Sequence, residues 1–297
     1  MASGILLSVV LVACTTTSAP SPTSITPSAS PSPTTVNITV RPPEKPTGAT
    51  LIVDDPSTVL AQPDNEPYGP STFYVQGDTI TMDDRVNDKI AIYRNGKRIK
   101  NLASTDNCCA DLLINDDHYW ILGIDDNEYK VFDYVLKPGA KRLTLVAKYP
   151  AAGNPPLWIT REGEDIVLQE MGGELHLIAG TAPLVAAPKL TTLKHGFEIG
   201  DGQTTIKIAT RATPLGIGLV ARTDSYDYYW VTDNGPGPNY GWIYQLTKAG
   251  ELFRTYTLVP PGDRAPSRPF QIAPDGRLYE MVTTNKTTRI YRIAPNP

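Results

Sequence analysis

Phe73-Tyr-Val-Gln-Gly-Asp-Thr-Ile-Thr-Met82 and Lys89-Ile-Ala-Ile-Tyr-Arg-Asn-Gly-Lys-Arg-Ile-Lys-Asn-Leu102 together decide the fold class. Apolar and β-branched residues recur in short runs, Phe73 with Val75, Ile80 with Met82, Ile90 with Ile92, and Ile99 with Leu102. Gly77-Asp78 and Asn95-Gly96 break these runs, and both dipeptides accept the positive φ that a tight hairpin demands. The segment from Ser71 to Leu102 therefore predicts four short antiparallel strands, the last pair joined by a two-residue Asn95-Gly96 turn.

The same order recurs. After Cys109 come Leu112 and Ile114, a turn at Asn115-Asp116-Asp117, then Tyr119 to Ile124, Tyr129 to Val135, a Pro138-Gly139 turn and Leu143 to Ala147. Another copy runs from Leu157 through Ile166 to Leu168, Leu175 to Ile178, and Leu184 to Ala186. A later copy comprises Gly216 to Val220, Tyr228 to Val231, Trp242 to Leu246 and Phe253 to Leu258. The last has only three strands, Phe270 to Ile272, Leu278 to Val282 and Arg289 to Ile293. Between them, Lys189 to Leu215 holds two strand-like pieces, Phe197 to Ile199 and Thr204 to Ile208, and reads as a reduced unit. No segment keeps helical periodicity over three turns.

Four-strand units of about 40 residues mark β-propeller blades. The count predicts an all-β, six-bladed propeller whose last blade is completed by an N-terminal strand, Thr50-Leu51-Ile52-Val53. The units resemble the NHL-like and quinoprotein-like propellers found in many bacterial lipoproteins and secreted proteins. Phe73-Tyr-Val-Gln-Gly-Asp-Thr-Ile80 and Phe270-Gln-Ile-Ala-Pro-Asp-Gly-Arg-Leu-Tyr279 look like their inner hairpins. That resemblance implies ligand contact on the face made by loops between second and third strands and by the connections between blades. It places Asp83, Asp84, Arg85 and Asn87 on the first such loop, and Asp125, Asp126 and Asn127 on the second. Asp233, Asn234, Asn239 and Tyr240 fall on a later one, and Asp106, Asn107, Arg264 and Arg268 in connections. From these, Asp84, Arg85, Asp125, Asn234, Tyr240, Arg264 and Arg268 are the expected ligand-binding residues.

The chain opens with the apolar run Ile5, Leu6, Leu7, Val9, Val10, Leu11, Val12, followed by Ala13 and Cys14. A short apolar run ending in a small residue before a cleavage point reads as a secretory leader. Leu11-Val12-Ala13-Cys14 resembles the lipobox of bacterial lipoproteins, which implies cleavage before Cys14 and acylation of its thiol. No Lys or Arg precedes Arg41, a departure from the basic start expected of such leaders. From Thr15 to Thr35 only Ala19, Ile25 and Ala29 are not Ser, Thr or Pro, a composition that cannot bury a core. The expected organisation is a leader over 1–13, a disordered tether over 14–48 and the propeller over 49–297. In polyproline II the tether would reach ~100 Å at about 3.1 Å per residue.

A formal net charge of -4 with scattered Lys and Arg excludes a nucleic-acid stripe. Only Cys108 and Cys109 follow Cys14, so no disulfide framework staples the domain, and a vicinal disulfide or two thiols remain alternatives for that pair. The mouth carboxylates suit a divalent ion, as in SMP-30-like lactonases, but Asp and Asn also serve as ordinary turn residues and no metal site is assigned. His118, His176 and His195 lie off the predicted mouth loops, and no Gly-x-Ser-x-Gly elbow occurs. With no catalytic set and no cofactor expected, the sequence points to a monomeric, lipid-anchored binding or scaffold module on the extracytoplasmic face of the cell membrane. An envelope protein or glycan is its expected partner. The alternatives are a metal-dependent hydrolase and a structural member of an envelope assembly.

Overall fold

A computed structural model describes residues 34–39, 48–60, 69–105, 109–151, 156–162, 164–170, 175–180, 188–200, 204–210, 213–233, 241–263 and 266–297. The chain divides into Met1–Ser32 and Pro33–Pro297, and every described residue belongs to the second unit. Among the described residues there is no α-helix, only strands and one 3-10 turn at Pro56–Thr58.

Two N-terminal strands come first, β1 (Thr34–Ile38) and β2 (Ala49–Asp55). The first sheet is the meander β3 (Phe73–Gln76), β4 (Thr79–Asp84), β5 (Lys89–Arg94) and β6 (Lys97–Ala103). Asn95 and Gly96 both take positive φ, 51° and 75°, which is the geometry their hairpin requires. The second sheet is β7 (Asp111–Asn115), β8 (His118–Asp125), β9 (Glu128–Val135) and β10 (Thr144–Pro150). The third has three described strands, β11 (Pro156–Glu162), β12 (Asp165–Glu170) and β13 (Leu175–Ala179); the fourth strand expected at Leu184 to Ala186 lies outside the described residues.

In the fourth sheet β14 (Lys189–Leu193), β15 (Gly196–Gly200) and β16 (Thr204–Ala209) are joined by β1, which runs parallel to β16 from Thr34↔Thr204 to Ile38↔Ile208. The fifth is β17 (Pro214–Arg222), β18 (Tyr226–Asp233), β19 (Gly241–Thr247) and β20 (Leu252–Thr257). The sixth is β21 (Phe270–Ile272), β22 (Leu278–Thr283) and β23 (Thr288–Ile293), closed by β2, which pairs antiparallel with β23. Six sheets and closure of the last by the Thr50–Val53 run are as expected from the sequence. The reduced fourth unit is the difference: it is a full four-stranded sheet, because Thr34–Ile38, inside the stretch read as tether, supplies its outer strand.

Middle strands are covered by neighbouring sheets on both faces, so β4 is buried over five consecutive residues, while the outer strand β6 alternates between exposed and half-buried. Four hydrophobic clusters fill the spaces between sheets. One spans the first three sheets, one joins the sixth and first around Phe73, Met82 and Tyr279, and one joins the third, fifth and sixth around Trp158, Ile243 and Phe270. The last joins the fourth and fifth around Phe197, Tyr229 and Trp242. Near the axis the third and fifth sheets meet directly: Gln169 Nε2 donates to Leu219 O at 2.7 Å.

The N-terminal strand is anchored by Ile38, 4% exposed among Phe197, Ile206 and Trp242, with Val36 partly buried beside it. Ile38→Ala should cost about 2–4 kcal/mol, as deletion of a buried aliphatic side chain does. Urea unfolding of the domain checks this; a silent substitution would mean that Thr34–Ile38 is only tether.

Candidate functional site

The innermost strand of each sheet is an edge, and its buried N–H and C=O groups need partners beyond the ladder. Polar side chains from adjacent sheets supply them. Thr72 Oγ1, entering the first sheet, donates to Asp111 Oδ1 of the second at 2.9 Å, and Asp111 Oδ2 accepts from Ile159 N of the third at 2.7 Å. Gln271 Oε1 of the sixth accepts from Val75 N of the first at 3.3 Å. Away from the inner edges, Glu280 Oε2 on β22 accepts at 2.6 Å from Val259 N, in the connection that follows the outer strand of the fifth sheet.

Arg268 is the hub of this network. Its Nη1 donates to Asp111 Oδ2 and to Ile159 O, both at 2.8 Å, and its backbone N–H donates to Ser71 O at 3.2 Å. The guanidinium also lies 5.5 Å from the centroid of the Trp158 ring. One residue on the approach to the sixth sheet thus bonds the first, second and third. Burial pushes the Asp111 carboxyl above its ordinary range, and Arg268, the Ile159 and Leu112 amides and Thr72 pull it back. Beside this pair, Arg85 Nε donates to Asp83 Oδ2 at 2.9 Å and its Nη2 donates to Cys109 O. Ser71 Oγ lies 2.7 Å from Cys109 O and 3.0 Å from Asp83 Oδ2.

Of the residues expected at a ligand mouth, Arg85 and Arg268 are linked through Cys109 and Ser71: Arg85 and Ser71 Oγ both donate to Cys109 O, and Arg268 N donates to Ser71 O. They meet in a buried cluster: Arg268 is 4% exposed and Cys109 6%. Asp84 is no loop residue; it ends β4 with no exposed surface, accepts from Asn87 Nδ2 at 3.0 Å on both oxygens and pairs with Arg98. The same guanidinium faces Asp55, which also accepts from Tyr93 Oη at 2.7 Å. Burial opposes ionisation of Asp55, and hydrogen bonds from Ser57 and Tyr93 with the charge of Arg98 outweigh it, leaving the carboxyl below its usual value. Asp125 stands apart at the half-buried end of β8, where hydrogen bonds from Lys148 and Lys130, at 2.9 and 3.2 Å, hold its carboxyl low. Asn234, Tyr240, Arg264, Cys108 and Cys14 lie outside the described residues. Of the histidines, His118 pairs through Nδ1 with the buried Asp133 at 2.7 Å.

Sequence reading missed a different feature, a groove of about 450 Å³ at the seam between the sixth and first sheets. Leu51, Ile52, Val75, Ile80 and Tyr279 provide apolar surface, and Asp78, Asn95, Asp275, Arg277 and Arg292 are polar. It opens beside the turns joining first to second and third to fourth strands, Gly77-Asp78, Asp275-Gly276 and Asn95-Gly96, not the second-to-third loops. Its cause is local. The pairing of β2 with β23 shifts register between Leu51 and Val53, a bulge at Ile52 that turns side chains out of the regular alternation. Gly96 permits it, because a Cβ there would come 2.4 Å from Ile52 O.

No protein-family model and no curated protein matches the chain. Solved structures to which it is similar include a protein of Bacteroides fragilis assigned as exported, with TM-score 0.45 and 7% identity over 89% of this chain and 100% of that one. The WD40 β-propeller domain of Doa1 gives TM-score 0.43 and 7% identity over 80% and 96% of the two chains. A catalytically inactive virginiamycin B lyase from Staphylococcus aureus gives 0.36 and 13% over 80% and 98%. The propeller architecture rests on the chain's own six sheets.

Two measurements test the buried network. Arg268→Met should destabilise the domain by about 3 kcal/mol or more, because it strands the Asp111 carboxylate in the interior. The double variant R268M/D111L should recover much of that loss; strictly additive costs in urea unfolding would mean the pair is not coupled. Glu280 gives a pH signature, since burial raises its carboxyl from 4.5 to about 8 against the single Val259 donor. A carboxyl whose folded pKa exceeds its unfolded one stabilises while protonated, so its contribution declines as pH rises from about 4.5 through 8. E280Q should match the parent at pH 4.5 and exceed its urea midpoint at pH 8.5; identical midpoints at both pH values would contradict the assignment.

Proposed function

We propose that this protein is a lipid-anchored, extracytoplasmic propeller that works as a non-catalytic binding or scaffold module in the cell envelope. The observation that carries the binding part is the seam groove, whose volume of about 450 Å³ falls in the range of ligand sites. Its lining mixes apolar residues with charged and amide ones, so a ligand there would find both kinds of contact. The leader and Cys14 supply the anchoring part. Because β1 begins at Thr34, the spacer available between lipid and domain is residues 14–33, about 60 Å if extended as polyproline II.

The hydrolase alternative is disfavoured by what its carboxylates already bind. A divalent ion at Asp84 would have to displace Arg98 and Asn87, and one at Asp125 would have to displace Lys130 and Lys148. Asp83 and Asp111 are likewise committed to Arg85 and Arg268. The Asp111–Arg268 pair also joins sheets, so diverting it to chemistry would loosen the ring.

Expressed with its leader in a bacterial host, the parent should partition with membranes and incorporate an alkyne-tagged fatty acid. Cys14→Ser should abolish the label and release the domain to the soluble fraction. Retention of label in that variant would overturn the anchor at Cys14.

A further inference from the structure

We infer that the seam groove selects an aliphatic monocarboxylate, a ligand with one anionic head and an apolar body. This deepens the binding reading above and rests on it. The charges at the groove do not cancel. Arg94 Nε approaches Asp78 Oδ2 at 3.6 Å, and Arg277 Nη1 approaches Asp275 Oδ2 at 3.4 Å. Both acids lining the groove are therefore already matched by a cation. Arg292 is not: among the described residues its guanidinium makes no hydrogen bond or ion pair, and the residue is exposed.

One uncompensated guanidinium beside apolar surface favours one negative charge, and the planar fork of arginine suits a carboxylate in two-point contact. Register puts Arg292 directly across from Tyr279 on one side and Thr50 on the other, so its head group stands at the edge of the ring-and-aliphatic lining. Leu51, 48% exposed at the bulge of β2, and Ile52 beside it offer the surface on which an alkyl chain would lie. A neutral ligand of the same length would leave the charge on Arg292 unmatched, and a cationic one would be repelled.

Octanoate, octan-1-ol and octylamine separate these terms. Methyl signals of Leu51, Ile52, Val75 and Ile80 are followed by NMR during titration of the lipidation-free domain with each probe. Octanoate should shift them at the lowest concentration, octanol should bind about tenfold more weakly, and octylamine more weakly still. Arg292→Met should lower octanoate affinity by about tenfold and leave octanol unchanged. Equal affinities for octanoate and octanol, or no effect of R292M, would overturn anion selection while leaving the groove a binding site. No methyl shift with any probe would remove the groove reading itself.

Discussion

The ion pair between Arg268 and Asp111 is the contact on which the ring depends. The two residues are 157 positions apart and both are buried, so neither charge has water to fall back on. A buried pair of this kind depends on further hydrogen bonds to offset the loss of water around both charges. Here the Ile159 and Leu112 amides and the Thr72 hydroxyl complete Asp111, and the Ile159 carbonyl takes a second bond from Arg268. The bonds that complete Asp111 also fix the relative positions of the first, second, third and sixth sheets, while Arg268 Nε is buried without a hydrogen-bond partner among the described residues.

That requirement follows from propeller geometry. Radial sheets pack through their faces, which hydrophobic side chains accomplish without direction, but their inner edges converge with backbone groups that do have direction. Gln271 on Val75, Asp111 on Ile159 and Gln169 on Leu219 are three solutions to the same edge problem. Among the described residues, Asp83, Asp111 and Arg268 already have partners within the protein. Where sheets meet through a chain closure instead, at β2 and β3, the fit is imperfect: the bulge at Ile52 leaves a groove and Arg292 without a counter-charge.

Local chemistry made much of the fold legible. Asn95-Gly96 carries its hairpin in its own backbone preferences, and the apolar run Thr50 to Val53 stood where a closing strand was needed. Thr34–Ile38 escaped because its two anchoring residues, Val36 and Ile38, follow a long Ser/Thr/Pro tract, and only the waiting edge of β16 makes them a strand. Arg268 was readable as a polar residue in a connection, but its partner cannot be found by spacing. Asp111, directly before Leu112, Leu113 and Ile114, looks like a strand boundary and is the centre of the network. The groove has no motif at all, since Leu51, Val75 and Arg292 come from distant parts of the chain.

Native-state hydrogen exchange by NMR tests this account most directly. The amides of Val75 and Ile159 lie at inner sheet edges, and here each donates to a buried side chain from another sheet. They should exchange as slowly as ladder amides of a central strand such as that of Ile121, through opening of the whole domain. Exchange at the rate of exposed turn amides, as at Lys286, would show that the inner edges are open and that polar bonds between sheets do not hold the ring.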